Sequence, residues 1–318
     1  ITRNLKPLSF EIPEKISNIR DFVEVKTILE VEKPDFIFHL AAQAIVSTSY
    51  SNPLDTITSN VLGTANVLES LRVSNQKCTA IIITSDKAYD NVEQIWGYKE
   101  NDAMGGKDVY SGSKGAAELV IKSYYHSFFK SKDSNVRLSI ARAGNVIGGG
   151  DWAKDRIVVD AMIAWSKGVQ VSVRSPNATR PWQHVLEPIS GYLTLGERLH
   201  SNKKLSGEGF NFGPRAEQNR TVRELLQTSC SYWNIGSDEA FTVTDNIKFH
   251  EAGLLKLNCD KALTYLHWNA NLDYDETIRF TNEWYFDYYG EGEMLSKTLA
   301  QIQEYEDIAR QKGLSWTG

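Results

Sequence analysis

The chain has 318 residues, 41% hydrophobic and 24% charged, with only 8 prolines, enough apolar material to bury a core in one large or two ordinary domains. A net charge of −5 and the lack of a long basic run exclude any electrostatic case for nucleic acid, and no stretch approaches the ~18 apolar residues of a membrane span or has the layout of a signal peptide. A soluble cytoplasmic protein is expected, and Cys78, Cys230 and Cys259, odd in number and without a CxxC pair, give neither a disulfide framework nor a metal site.

In chain order, "FVEVKTILEVE" (22–32) has apolar residues at helical spacing and stops before Lys33-Pro34, a termination signal. "FIFHLAA" (36–42) is a short continuous apolar run, as a strand buried on both faces requires. A helix over 57–74, a strand over 80–85, a helix over 111–130 and a strand over 136–146 follow. Strands separated by helix-length connections predict an α/β fold, a Rossmann-type doubly wound parallel sheet. Ligands of such sheets bind beyond the carboxyl ends of the strands, which makes His39 to Gln43, Ser85 to Lys87 and Arg142 to Asn145 neighbours in one crevice.

After about residue 150 turn-forming residues punctuate shorter elements, as in "GGGDW" and "VSVRSPNATRPWQHV". The reading is a first domain over 1–150 and a smaller mixed α/β substrate domain over 151–318, with a helix within about 184–200 folding back on the first.

The chemistry gathers where apolar strands stop. In "AIIITSDKAYD" (80–90) a hydroxyl, a carboxylate and an amine follow one another at Ser85, Asp86 and Lys87. Tyr110 and Lys114, four apart in "YSGSK" at the start of a helix, share a helix face. An ammonium beside a phenol favours phenolate, which lets tyrosine act as a base. Ser85 completes a hydroxyl-activating trio.

These residues, with "HLAAQ" before them and "RAGNVIGGGDW", "RPWQHV" and "NFGPR" after, resemble the extended short-chain dehydrogenases/reductases. Within that family the chain is most similar to the nucleotide-sugar 4,6-dehydratases, in particular the branch that acts on CDP-glucose. The resemblance implies a bound NAD that takes hydride from C4 of the sugar and returns it to C6. Between those steps water leaves across C5 and C6. Tyr110 would take the O4 proton, Asp86 would protonate the departing C6 hydroxyl, and Ser85 would hydrogen-bond the sugar oxygen. Lys87 would serve as the C5 base or steady the enolate. The resemblance also places Asn18, Ile19, Leu40, Ala41, Ala42, Asn60, Tyr110 and Lys114 on the cofactor. It places Ser85, Asn145, Trp152, Arg156 and Arg180 on the substrate, the two arginines suiting a diphosphate because guanidinium is always charged and forked.

Several features depart from the pattern. Asn18 stands where an aspartate usually contacts the adenosine side, and Ala44, Ser47, Ala103 and Val109 replace residues more usual there. No glycine fingerprint of the GxxGxxG type follows an early strand. With an initial isoleucine, this reads as a chain lacking roughly 30 to 50 residues, its first strand-helix unit and one further strand. Two further readings stand beside dehydration: a 4-epimerase or decarboxylase of the same fold, for which Asp86 has no use, and a noncatalytic nucleotide-sugar-binding or assembly protein. The apolar faces of the helices at 60–71 and 111–130 resemble a pair that forms a four-helix homodimer interface.

Overall fold

The computed structural model describes residues 14–244 and 253–317. The first half forms α1 (Phe22–Glu32), β1 (Phe36–His39), α2 (Val46–Ser51), α3 (Pro53–Ile57), α4 (Gly63–Ser74), β2 (Cys78–Ile83), α5 (Val109–Tyr124) and β3 (Val136–Ala143). Thr58–Leu62 and Tyr125–Phe129 continue α3 and α5 in wider π-type turns. Local chemistry sets these limits. The Asp21 carboxylate accepts from the backbone N–H groups of Val23 and Glu24 at the start of α1, and Lys33 ends it in the left-handed conformation just before Pro34.

The second half contributes β4 (Val146–Ile147), α6 (Ile157–Trp165), β5 (Val171–Val173), β6 (Thr179–Arg180), β7 (Gln183–His184), α7 (Leu186–Ser201), β8 (Gly209–Phe212), β9 (Arg220–Thr221), α8 (Val222–Cys230) and β10 (Phe241–Val243). It closes with α9 (Asp260–Leu266), α10 (Tyr274–Tyr289) and α11 (Met294–Gln311). Among the described residues no helix is long and apolar enough to cross a membrane.

The main sheet is parallel in the order β1-β2-β3-β8. Alternate residues of a strand face opposite sides, and the two cores obey this. Ala80 and Ile82 pack with Val67, Leu68 and Leu71 of α4 and Ile121 of α5, whereas Ile81 packs with Tyr192, Leu195 and Leu199 of α7. Each fully buried leucine in these layers contributes about 1.5–3 kcal/mol. The closeness of α7 to the sheet depends on Gly191, where an added Cβ would lie 2.3 Å from the Phe212 ring. A separate core of Met162, Trp165, Val173, Trp182, Leu225 and Ile278 holds the second half together.

The doubly wound parallel sheet expected from the apolar runs is present, with differences at its margins. β1 stops at His39, and Leu40 and Ala41 are exposed. The strand expected over 136–146 breaks at Gly144 and Asn145, because Asn145 takes φ 38° and β4 pairs with β7 instead. Residues 209–212, read in sequence as part of the second region, form the fourth strand of the main sheet. The helix expected to fold back is α7, packed on β2, β3 and β8.

Candidate active site

Ser85 follows β2 and opens the short turn Asp86–Ala88, its hydroxyl accepting from the Lys87 N–H at 3.2 Å and donating to Asp86 Oδ1 at 3.0 Å. β2 ends at Ile83, Thr84 N–H still bonds the Ala141 carbonyl of β3 at 2.9 Å, and the turn that follows carries three polar groups off the end of an apolar strand. Asp86 is buried, and burial raises its pKa against the opposing charges of Lys87 and Arg180 and the hydrogen bond from Ser85. A carboxyl in this setting favours the neutral, proton-donating form.

Tyr110 lies in the first turn of α5, which Asp108 caps by accepting from the Ser111 N–H at 2.9 Å and the Ser111 hydroxyl at 2.7 Å. Tyr110 is buried, with its phenol pushed up to about 12 by burial and pulled back in part by Ser85 and Arg156. The Lys87 ammonium lies 5.9 Å from the centroid of its ring. One turn on, burial lowers Lys114 to about 8 while the Glu118 carboxylate works to raise it. Lys114 in turn helps burial hold His39 near 4, so that imidazole is neutral and shares a 3.1 Å contact with Thr64 Oγ1. Ser85 and Arg156 oppose the rise of the Tyr110 phenol, and the Lys114 charge also bears on His39.

Other expected site residues divide. Arg180 is buried near Asp86, and Arg156 is part-exposed, paired with Asp151 at 2.6 Å and close enough to act on Tyr110. Asn145 sits at the broken strand end with its carbonyl accepting from Gln183 N–H. Trp152 packs among Tyr285, Tyr288 and Tyr289 of α10, its ring 4.7 Å from that of Tyr288. Arg142, expected in the crevice, lies wholly inside, clasped by Glu118. Asn60 spends its amide on the scaffold: Oδ1 accepts from Gln43 N–H at 2.8 Å, and Nδ2 donates to the Gln43 carbonyl and to Ser113 Oγ. Asn18 is exposed and accepts from Arg20, while Ile19 packs on Gly63 of α4.

Sequence reasoning passed over Glu118 and Gln183, and reached Gly144 only as a member of the Arg142–Asn145 strand end. Only Glu118 left a signal, as the next member of the Tyr110, Lys114 series along one helix face.

A dinucleotide fits part of this arrangement. The Lys114 side chain is buried, makes no hydrogen bond to any described residue and acts on His39 at the end of β1, and such a cation suits ribose hydroxyls. The glycine run Gly148–Gly150 follows β4 and not an early strand of the main sheet.

The parallel sheet with Ser85, Tyr110 and Lys114 at the ends of β2 and the start of α5 defines a Rossmann-type short-chain dehydrogenase/reductase. The chain belongs to the family described as GDP-mannose 4,6 dehydratase, whose model matches residues 13–281. It is 41% identical over 293 residues to the CDP-glucose 4,6-dehydratase of Salmonella typhimurium, covering 91% of this chain and 81% of that one. It is 25% identical to the CDP-paratose 2-epimerase of Salmonella typhi, covering 84% and 82%. Among solved structures it resembles a double mutant of dTDP-glucose 4,6-dehydratase from Streptomyces venezuelae with NAD and DAU bound. That match has a TM-score of 0.79 at 18% identity and covers 92% and 86% of the two chains. The UDP-glucose 4-epimerase of Thermotoga maritima gives 0.74 at 21% identity, covering 89% of each.

Proposed function

We propose that the chain dehydrates a nucleotide-diphosphate hexose, CDP-glucose, to CDP-4-keto-6-deoxyglucose. The observation that carries this reading is Asp86: a buried carboxyl, its pKa raised, beside Ser85 and the Tyr110 site. Oxidation and re-reduction at C4 alone require no such acid. Elimination across C5 and C6 does, because hydroxide is a poor leaving group until protonated.

When bound, NAD supplies the hydride acceptor for C4 and the donor for C6. Lys114 and the Leu40–Ala42 segment would hold its nicotinamide-ribose side, with Asn18 and Ile19 toward the adenosine. Tyr110 takes the O4 proton; burial raises its phenol, Ser85 and the Arg156 charge oppose that rise, and the Lys114 ammonium one turn along α5 would add to them. The ketone then acidifies the C5 proton, which Lys87 removes or whose enolate it steadies from its place over the Tyr110 ring. Asp86 gives its proton to the C6 hydroxyl, which leaves as water. Arg156 and Arg180 hold the diphosphate, with Asn145 and Trp152 completing the mouth. A homodimer through the outer faces of α4 and α5 accounts for Leu62, Leu119 and Phe128, all exposed there.

The test is product analysis after the chain is incubated with CDP-glucose and NAD. A nucleotide sugar lighter by one water, with a ketone at C4 and a methyl at C6, is expected. A C4 epimer of unchanged mass would place the chain with the epimerases, and binding without turnover would make it a noncatalytic binding protein.

A further inference from the structure

The loop after β3 presses on the acid. A Cβ added to Gly144 would lie 2.1 Å from Asp86 Oδ2 and 2.7 Å from its Cγ, so the carboxyl occupies the place of a side chain. Gly144 is not among the residues of positive φ, so its own backbone does not demand glycine; the neighbour does. The Gly144 carbonyl is held from the second half of the chain, since Gln183 Nε2 donates to it at 2.8 Å and to the Phe212 carbonyl at 3.0 Å. That pair of bonds uses both amide hydrogens and stops the loop from backing away. Asp86 Oδ1 accepts from Ser85, while Oδ2 is buried and meets no donor among the described residues. The Oδ1 side of the carboxyl is thus held by Ser85 and by the cations Lys87 and Arg180 nearby, while its Oδ2 side is bounded by the Gly144 backbone.

We propose that Gly144, pinned by Gln183, is the positioning residue of the elimination step, providing the space that aims the Asp86 carboxyl at the leaving hydroxyl. This rests on the dehydratase reading. The charged and titratable groups around the carboxyl are Lys87 on its own turn, Tyr110 on α5, Arg180 at β6 and Tyr192 on α7.

The deciding variant is Gly144→Ala in the full chain. The three nearest atoms all belong to Asp86, Oδ2 and Cγ well inside contact and Cβ at 3.2 Å, so the carboxyl is expected to turn, and an unchanged far-ultraviolet circular dichroism spectrum checks that the fold persists. Oxidation at C4, followed as reduction of the bound cofactor on adding substrate, is expected to proceed as in the wild type. Water elimination is expected to fall about a hundredfold, so reduced cofactor accumulates. Gln183→Met, which keeps the volume and frees the Gly144 carbonyl, is expected to show the same split more weakly.

A measurement that needs neither cofactor nor turnover is the infrared carbonyl band of protonated Asp86, assigned by its loss in Asp86→Asn. Turned out of its seat, the carboxyl regains water and ionises more readily, so in Gly144→Ala the band should vanish at a lower pH than in wild type. Equal loss of oxidation and elimination, or an unchanged band with unchanged elimination, would overturn the proposal. Wild-type protein that performs no dehydration refutes the functional reading by itself, and the band then still decides whether Gly144 seats the carboxyl.

Discussion

Glu118 clasps Arg142 through two parallel bonds of 2.6 Å, Nε to Oε1 and a terminal nitrogen to Oε2, with both side chains essentially inaccessible. The pair braces the Ser85–Ala88 turn from both sides. Thr84, just before Ser85, donates to Glu118 Oε1 at 2.6 Å, and Arg142 donates to the hydroxyl of Tyr89, just after the turn, at 2.6 Å. Tyr89 passes the chain on to Asn211 Oδ1 at 2.8 Å in β8. Strand ends from both halves of the chain are thus tied beneath the Ser85–Ala88 turn.

Breaking such a pair on one side leaves a buried charge without its partner. Glu118→Gln is therefore expected to cost about 3–5 kcal/mol of stability, read as a lower denaturant midpoint. Replacing both members with apolar residues of similar volume should recover much of that loss, since no charge is then stranded. A Glu118→Gln protein as stable as wild type would contradict the bracing role.

Roles within the site separate by partial reaction. Asp86→Asn keeps the shape and loses the transferable proton, so elimination should slow by about 10²–10⁴-fold while C4 oxidation continues. Tyr110→Phe should stop both, because no group remains to take the O4 proton. Single-turnover measurements of cofactor reduction and of water loss check both expectations, and equal loss of the two steps in Asp86→Asn would remove it as the acid.

The parts legible in the sequence are those whose signal is local. β2 and β3 announce themselves as apolar runs, α1 by its spacing and its stop at Lys33-Pro34, and the Tyr110, Lys114 pair by a four-residue step. β8 hides because it is four residues long and its partner β3 lies far away in the chain. The burial of Arg142 depends on a carboxylate of another element, and Gly144 matters only because Asp86 fills its side-chain space. Such relations arise from packing across strands, which no short window of sequence contains.

The outer apolar residues of the helical face give a test of assembly. Leu119 is 58% exposed on α5 and Leu62 is 47% exposed at the end of the turn before α4. In a homodimer formed by these faces, Leu119→Asp would bury an unpaired charge and dissociate the pair. Sedimentation should report a dimer for wild type and a monomer for the variant, each with the same helical content. A monomeric wild type at micromolar concentration would rule the interface out.

Stability should depend on pH through Glu187, in the first turn of α7. It accepts from the N–H groups of Asn271 at 2.9 Å and Leu272 at 2.6 Å, and from the Tyr305 hydroxyl at 3.1 Å, joining α7 to the loop before α10 and to α11. Burial outweighs these donors and pushes the carboxyl up to about 7 from its usual 4.5. Since the folded pKa is the higher, the folded state binds the proton more tightly, and this contribution is fully present below 4.5 and lost as pH rises through 7. Its size is about 3 kcal/mol by linkage. Urea unfolding at a series of pH values should show wild-type stability falling over that window relative to Glu187→Gln, which cannot titrate. His184, lowered to about 3 by burial, acts in the opposite sense at acid pH, and because it is common to both proteins it cancels in the difference. A wild-type minus variant difference that stays flat from pH 4.5 to 8 would mean that Glu187 keeps an ordinary carboxylate pKa in the folded chain.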